Sequence, residues 1–291
     1  MVDNPKVAHV MDRANVALDT ALDKIGPVRK FYNEHFASIR AICGEFLVTF
    51  CFIFIVCSTQ ANLIRAGLRN PNSGPIATGF AACALIYSFA DISGAHFNPA
   101  VTFATILRRR THWLRGIFYI IAQLLGAIIA TALLDSVIYP GVSAADLVVR
   151  PADDASLISA LIIETFMSFT LVFVIFAVAF DAADTKQAVT VGSGDAKRPA
   201  LTVYTASGSS KAGFAPLSIG FTLGFLCYVG GTVSGGAFNP ARAFSAAVVA
   251  GDFRGNWVFW IGDLCGSSLA ALVQWFFATK HTEAAKQEYA M

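Results

Sequence analysis

The residues best suited to chemistry in this chain come in matched pairs. GAHFNPAVTF (Gly94 to Phe103) and GGAFNPARAF (Gly235 to Phe244) are near copies, each centred on Asn-Pro-Ala. Asn98, Pro99 and Ala100 form the first motif, followed by Val101; Asn239, Pro240 and Ala241 form the second, followed by Arg242. An asparagine amide donates hydrogen bonds while remaining neutral. Two of them suit the handling of a neutral, oxygen-bearing molecule better than bond making. Glu45, in CGEFLVTFCFIF, and Glu164, in IIETFMSFTLVF, make a second matched pair. No nucleophile–base pair or metal-ligand cluster stands out, so the chain reads as no enzyme, with no catalytic residue, cofactor or metal. The six cysteines, Cys43, Cys51, Cys57, Cys83, Cys227 and Cys265, fall in or beside apolar runs without CxxC spacing. They read as small buried hydrophobes.

The elements that must position these residues are set by apolar patterning. The chain has 291 residues, 56% hydrophobic and only 14% charged, where a soluble domain carries about a quarter charged. Apolar runs recur at roughly 41–58, 76–90, 116–139, 157–180, 215–233 and 255–278, several near the ~20 residues that cross a bilayer as a helix. Six such runs exceed what one soluble core would bury, so the expectation is a polytopic, all-α membrane protein. Each half holds a Glu-bearing span, a second span, an Asn-Pro-Ala segment and a third span. Three spans per half turn the second copy upside down, an inverted repeat.

NPAVTFATIL (98–107) and NPARAFSAAVVA (239–250) are too short to cross. Proline favours the first helical position and asparagine the cap before it, so each reads as a loop entering the membrane and turning into a half-helix. Irregular backbone at that depth is tolerated where it is buried in protein or lines a wet cavity. Inverted halves bring the two helix N-termini, each partly positive, face to face near the midplane. That field repels cations and protons while neutral molecules pass.

The formal net charge of +2 says little about partners, and the placement of Lys and Arg says more. Lys6, Arg13, Lys24, Arg29, Lys30 and Arg40 precede the first span. Arg108, Arg109, Arg110 and Arg115 follow the first half-helix, and Lys186, Lys197, Arg198 and Lys211 lie in 181–214. With Lys280 and Lys286 they fall on one side, against Arg65, Arg69, Arg150 and Arg254 opposite. The positive-inside rule puts both termini in the cytoplasm. The basic groups are split among membrane-proximal segments, so orientation accounts for them and nucleic acid is not expected.

At this point the sequence resembles the aquaporins, or major intrinsic proteins, most of all their water-channel branch. The likeness covers about 38–280 and rests on SGAHFNPAV, SGGAFNPAR, the paired Glu45 and Glu164, and the 3+3 inverted repeat. It implies six tilted transmembrane helices plus two re-entrant half-helices around one pore per subunit, in a homotetramer. It also implies that Glu45 and Glu164 are buried and support the re-entrant loops. By counting across from the family, the outer selectivity filter falls on Thr78, Cys227, Gly236 and Arg242, with Phe80 and Tyr228 as alternatives if the count slips. Water-selective members usually place an aromatic at the first position and His at the second, so this filter is atypically small. Ala243 after the pore arginine and the Phe259-Trp260 pair point to the water-channel form. The reading is water conduction with room for glycerol, urea, ammonia or hydrogen peroxide, excluding ions and protons.

The organisation is then a cytoplasmic N-terminal tail (1–37) with a short amphipathic stretch from Asp12 to Ile25, a channel domain (38–280) and a cytoplasmic C-terminal tail (281–291). The repeats run about 38–139 and 157–278. His96 lines the cytoplasmic vestibule or packs beneath it. The cytoplasmic loop 181–214 is either a gating segment, with Thr205, Ser207, Ser209 and Ser210 as phosphorylation points, or a linker. Arg108 to Arg110 read as a cytoplasmic stop touching lipid headgroups. Expected partners are water, small neutral solutes and membrane lipid, in the plasma membrane or an intracellular vacuole or vesicle membrane. The competing readings are an ion-coupled secondary transporter and a non-conducting member with a structural role.

Overall fold

The computed structural model describes residues 26–68, 70–180 and 208–288, with side chains described over 36–68, 70–180 and 213–277. The Asp12 to Ile25 stretch, Thr205, Ser207 and the side chains of Ser209 and Ser210 lie outside the described residues. The chain divides into two compact units, Met1–Ala41 and Ile42–Met291. In the first, the described part is the opening of α1 (Gly26–Arg65), which starts where Gly26-Pro27 offers a proline suited to the first helical turn.

The second unit holds the repeated machinery. After the rest of α1 come α2 (Ser73–Ser93), α3 (Pro99–Leu107) and α4 (Trp113–Leu133), which ends in a π-helical turn over Leu134–Ile138. A short α5 (Ala144–Leu147) leads into the second half: α6 (Leu157–Ile175), α7 (Gly208–Gly230), α8 (Pro240–Ala250) and α9 (Trp257–Glu288). Among the described residues there is helix and no strand. Among the described residues, six segments are long and apolar enough to cross a membrane: Phe36–Arg65, Ser73–Ser93, Trp113–Ile138, Leu157–Phe180, Gly213–Gly230 and Trp257–Phe277. The protein is an integral multi-pass membrane protein.

α3 and α8 are the exceptions in length. Their 9 and 11 residues rise about 14 and 17 Å, roughly half of a hydrocarbon core. Both start on proline with asparagine as N-cap, as propensity alone dictates.

Close helix approach depends on small residues, as expected where lipid offers no hydrophobic contrast. A Cβ on Gly79 of α2 would stand 3.1 Å from the Gly220 carbonyl of α7. The same logic joins α4 to α1 and α9 to α6. A Cβ on Gly126 would collide with the Phe46 carbonyl, and one on Gly266 with the Thr165 carbonyl. These are corresponding positions in the two halves, each facing the residue after the membrane glutamate. Exposed apolar side chains such as Phe80, Phe166, Phe221 and Leu272 cover the outside of the helices.

One expectation is modified. Arg108, expected at the headgroups, has partners within the protein: its guanidinium donates to the Ala271 carbonyl at 3.3 Å and lies 4.9 Å from the Phe176 ring centre. It closes one end of α3 against α9 and the π-helical turn Phe176–Phe180.

Candidate functional site

The two half-helices meet cap to cap. Asn98 and Asn239 adopt extended backbone, with φ of −153° and −156°. The Asn98 side-chain oxygen accepts from Ala100 N at 2.9 Å and that of Asn239 from Ala241 N at 3.0 Å. Their amide nitrogens cross over: Asn98 donates to the Phe238 carbonyl at 2.8 Å and Asn239 to the Phe97 carbonyl at 2.9 Å. Each loop is thereby tied to the other, a reciprocity that spacing in the sequence does not reveal.

The donated carbonyls belong to residues under strain. Phe97 has a φ of +35° and Phe238 of +32°, a region where a bulky residue costs on the order of 1–3 kcal/mol. What holds them is the buried glutamates. Glu45 accepts from Ser93 Oγ at 2.6 Å, His96 N at 2.9 Å, Phe97 N at 2.8 Å and Gln123 Nε2 at 2.7 Å. Glu164 accepts from Ser234 Oγ, from Ala237 N at 3.1 Å and from Phe238 N at 2.6 Å. Both glutamates are fully buried. Ser93, Gln123 and Ser234 were not foreseen; their signal was a polar residue at matching places in both halves.

His96 is 7% exposed and enclosed by a polar network. Its Nδ1 is 3.1 Å from Thr102 Oγ1, which also accepts from Gln123 Nε2 at 2.9 Å. The Tyr119 ring lies edge-on at 5.5 Å.

Toward the other mouth, the first turn of α8 carries Arg242. Its guanidinium donates to the Leu147 carbonyl of α5 at 3.0 Å and to Gln60 Oε1 of α1 at 3.3 Å. Gln60 in turn donates to the Asp146 carbonyl at 2.7 Å, so α1 and α5 together aim the arginine. Neither Gln60 nor Leu147 was legible, because the contacts join distant segments and one partner is a backbone oxygen. Thr78 is buried, and its side chain lies near that of Cys227. A Cβ on Gly236 would stand 3.7 Å from the Cys227 Cα. Thr78, Cys227 and Gly236 therefore come together, while Phe80 at 65% and Tyr228 at 51% exposure turn outward. Gly236 has a φ of +65°, so a side chain there would be strained although its Cβ would meet only ordinary van der Waals contacts.

Just beyond α8, Asp252 binds Arg254 at 2.8 Å and Arg150 at 3.4 Å. The Arg254 guanidinium holds the Asp252 carboxyl well below the usual carboxylate range, so this clamp loosens only in strong acid.

Among the described residues no group of His, Cys, Asp and Glu could hold a metal ion.

Comparison with known proteins bears on the family and the fold. The chain matches the family described as "Major intrinsic protein" over residues 33–194 and 199–274. It is 48% identical over 263 residues to Aquaporin-B of Dictyostelium discoideum, covering 88% of this chain and 89% of that one. It is 35% identical over 262 residues to Aquaporin TIP2-1 of Zea mays, covering 87% and 94%. In fold it is similar to the aquaglyceroporin from Plasmodium falciparum, with a TM-score of 0.61 and 23% identity, over 83% of this chain and 96% of that one.

Proposed function

Because the chain belongs to the major intrinsic protein family, we propose that it works as a passive transmembrane channel for water and small neutral solutes. The observation that carries the mechanism is the crossed pairing of Asn98 and Asn239 at the abutting ends of α3 and α8. Each amide nitrogen carries two hydrogens, and one is committed to the opposite loop. The other points a neutral donor at a passing molecule's oxygen. Two helix N-termini add positive potential at the same place, which opposes cations and protons. A water there offers its lone pairs to the amides and its hydrogens away along the pore.

Arg242, Thr78, Cys227 and Gly236 form the outer filter. Three of these four are small, which supports water as the main permeant with leakage of glycerol, urea, ammonia or hydrogen peroxide. Glu45 and Glu164 support the two loops, and His96 faces the opposite vestibule. The Lys and Arg asymmetry supports cytoplasmic termini, so the filter opens outward, in the plasma membrane or a vacuolar or vesicular membrane. Four copies form the working assembly. Exposed apolar faces on α2 and α7, with Phe80, Phe221 and Phe225, are suited to lipid and to neighbouring copies alike. Mass measurement in a mild detergent tests the tetramer.

Stopped-flow shrinkage of reconstituted vesicles, with sucrose and then glycerol as osmolyte, tests conduction. Fast water flux of low activation energy without proton leak is the expected result. Flux that depends on a proton or sodium gradient would instead mean a coupled transporter. Within the filter, mercurials should block through Cys227, and Cys227→Ser should abolish that block. Inhibition that survives the substitution would show that Cys227 does not line the filter.

A further inference from the structure

The two loop supports are alike in every part but one. In the first half the fourth donor to Glu45 is the Gln123 amide of α4, at 2.7 Å. Gln123-Leu124-Leu125-Gly126 of α4 corresponds in register to Asp263-Leu264-Cys265-Gly266 of α9. The shared glycine fixes the match, since Gly126 and Gly266 abut the carbonyls of Phe46 and Thr165, the residues after Glu45 and Glu164. Asp263 therefore stands where the first half has a neutral hydrogen-bond donor.

Asp263 is fully buried, and its carboxyl lies beside the Glu164 carboxyl and the Ser168 hydroxyl. Gly262 brings the helices close here: a Cβ on it would be 3.0 Å from Glu164 Cβ. Yet neither Asp263 oxygen receives a hydrogen bond of ordinary geometry from any described group. Glu164 takes three donors from the loop, Ser234, Ala237 and Phe238, which leaves one of its roughly four acceptor sites open. Two ionised carboxylates are acceptors only, so they cannot bond to each other. Two carboxyls sharing one fully buried site do not both ionise. The other groups facing the pair are the hydroxyls of Ser168 and Ser234 and, from α7, the thiol of Cys227.

We propose that Asp263 and Glu164 form a carboxylic acid–carboxylate pair that holds one proton behind the second Asn-Pro-Ala loop. Asp263, through Glu164, is thus a positioning residue for Asn239 and Arg242. The proton replaces the amide hydrogen that Gln123 supplies in the first half. Glu164 keeps its negative charge toward the strained Phe238 N–H, and Asp263 stays neutral as donor. The site titrates as a pair and not as two separate acids.

Infrared spectroscopy of the full-length protein in vesicles tests the proton directly. At neutral pH the wild type should show the carbonyl band of a buried protonated carboxyl, and Asp263→Asn should remove it. Absence of the band in the wild type, or its survival in Asp263→Asn, overturns the pair. The positioning role rests on the conduction reading above and has its own readout. Asp263→Asn restores a Gln123-like donor and should keep water permeability within about twofold, while Asp263→Leu, which takes the fourth donor from Glu164, should lower it about tenfold. Equal losses in both variants overturn the positioning role. If wild-type vesicles pass no water while the band is present, the conduction reading fails and the proton pair stands.

Discussion

Vesicles carrying Glu45→Leu should show almost no channel-mediated water flux, and the amount of folded protein should fall. Glu45 collects four donors in a fully buried site: Ser93 Oγ, His96 N, Phe97 N and Gln123 Nε2. A buried donor left unpaired costs about 1–3 kcal/mol, so the two backbone N–H groups alone cost about 2–6 kcal/mol. Release of the strained φ at Phe97 then favours a rearranged loop. Phe97 offers its carbonyl to Asn239, so the damage passes to the second motif as well. Glu45→Gln is the sharper control. It keeps the shape but turns one acceptor oxygen into a donor facing donors, so it should also lose most flux. Flux per folded channel should be measured in both; wild-type values in Glu45→Leu would remove the glutamate from the account of the loop.

Arg242→Ala should have the opposite character, with water flux kept and selectivity lost. The guanidinium is aimed by Leu147 and Gln60, and its removal both widens the mouth and deletes a positive charge. Two unit charges 4 Å apart interact by about 4 kcal/mol at an effective dielectric of 20. Even a fraction of that corresponds to tenfold or more in cation entry. Glycerol and urea permeability should also rise by roughly an order of magnitude, since every other filter residue is already small. Cation exclusion should not vanish, because the two helix N-termini at the asparagines remain. Swelling in glycerol and urea, with a proton-sensitive dye inside the vesicles, reads both effects. Unchanged selectivity would locate the constriction elsewhere.

Most of the architecture was legible from local rules. Six apolar runs, two Asn-Pro starts and a glutamate repeated in each half follow from hydropathy, capping preference and internal symmetry. All of these act over a few residues or over one copied unit. The proposed filter residues were named only by counting from a resemblance; in the structure Thr78 is buried near Cys227 while Phe80 and Tyr228 are exposed. Helix rotation makes that choice, and a run apolar on every side, like α7, does not encode it.

The sequence by itself determined that this chain crosses a membrane, that its halves are inverted copies, and that each carries a capped half-helix. These are properties of periodicity and local free energy. Tertiary structure alone decided which groups satisfy one another: Asn98 with Phe238, Asn239 with Phe97, Arg242 with Leu147 and Gln60, and Asp263 beside Glu164. In a dry interior every polar group must find a partner or cost free energy. Most of those partners lie on another element, often as backbone oxygens that any residue type could provide. Their identity therefore belongs to the packed fold and leaves little mark on the sequence.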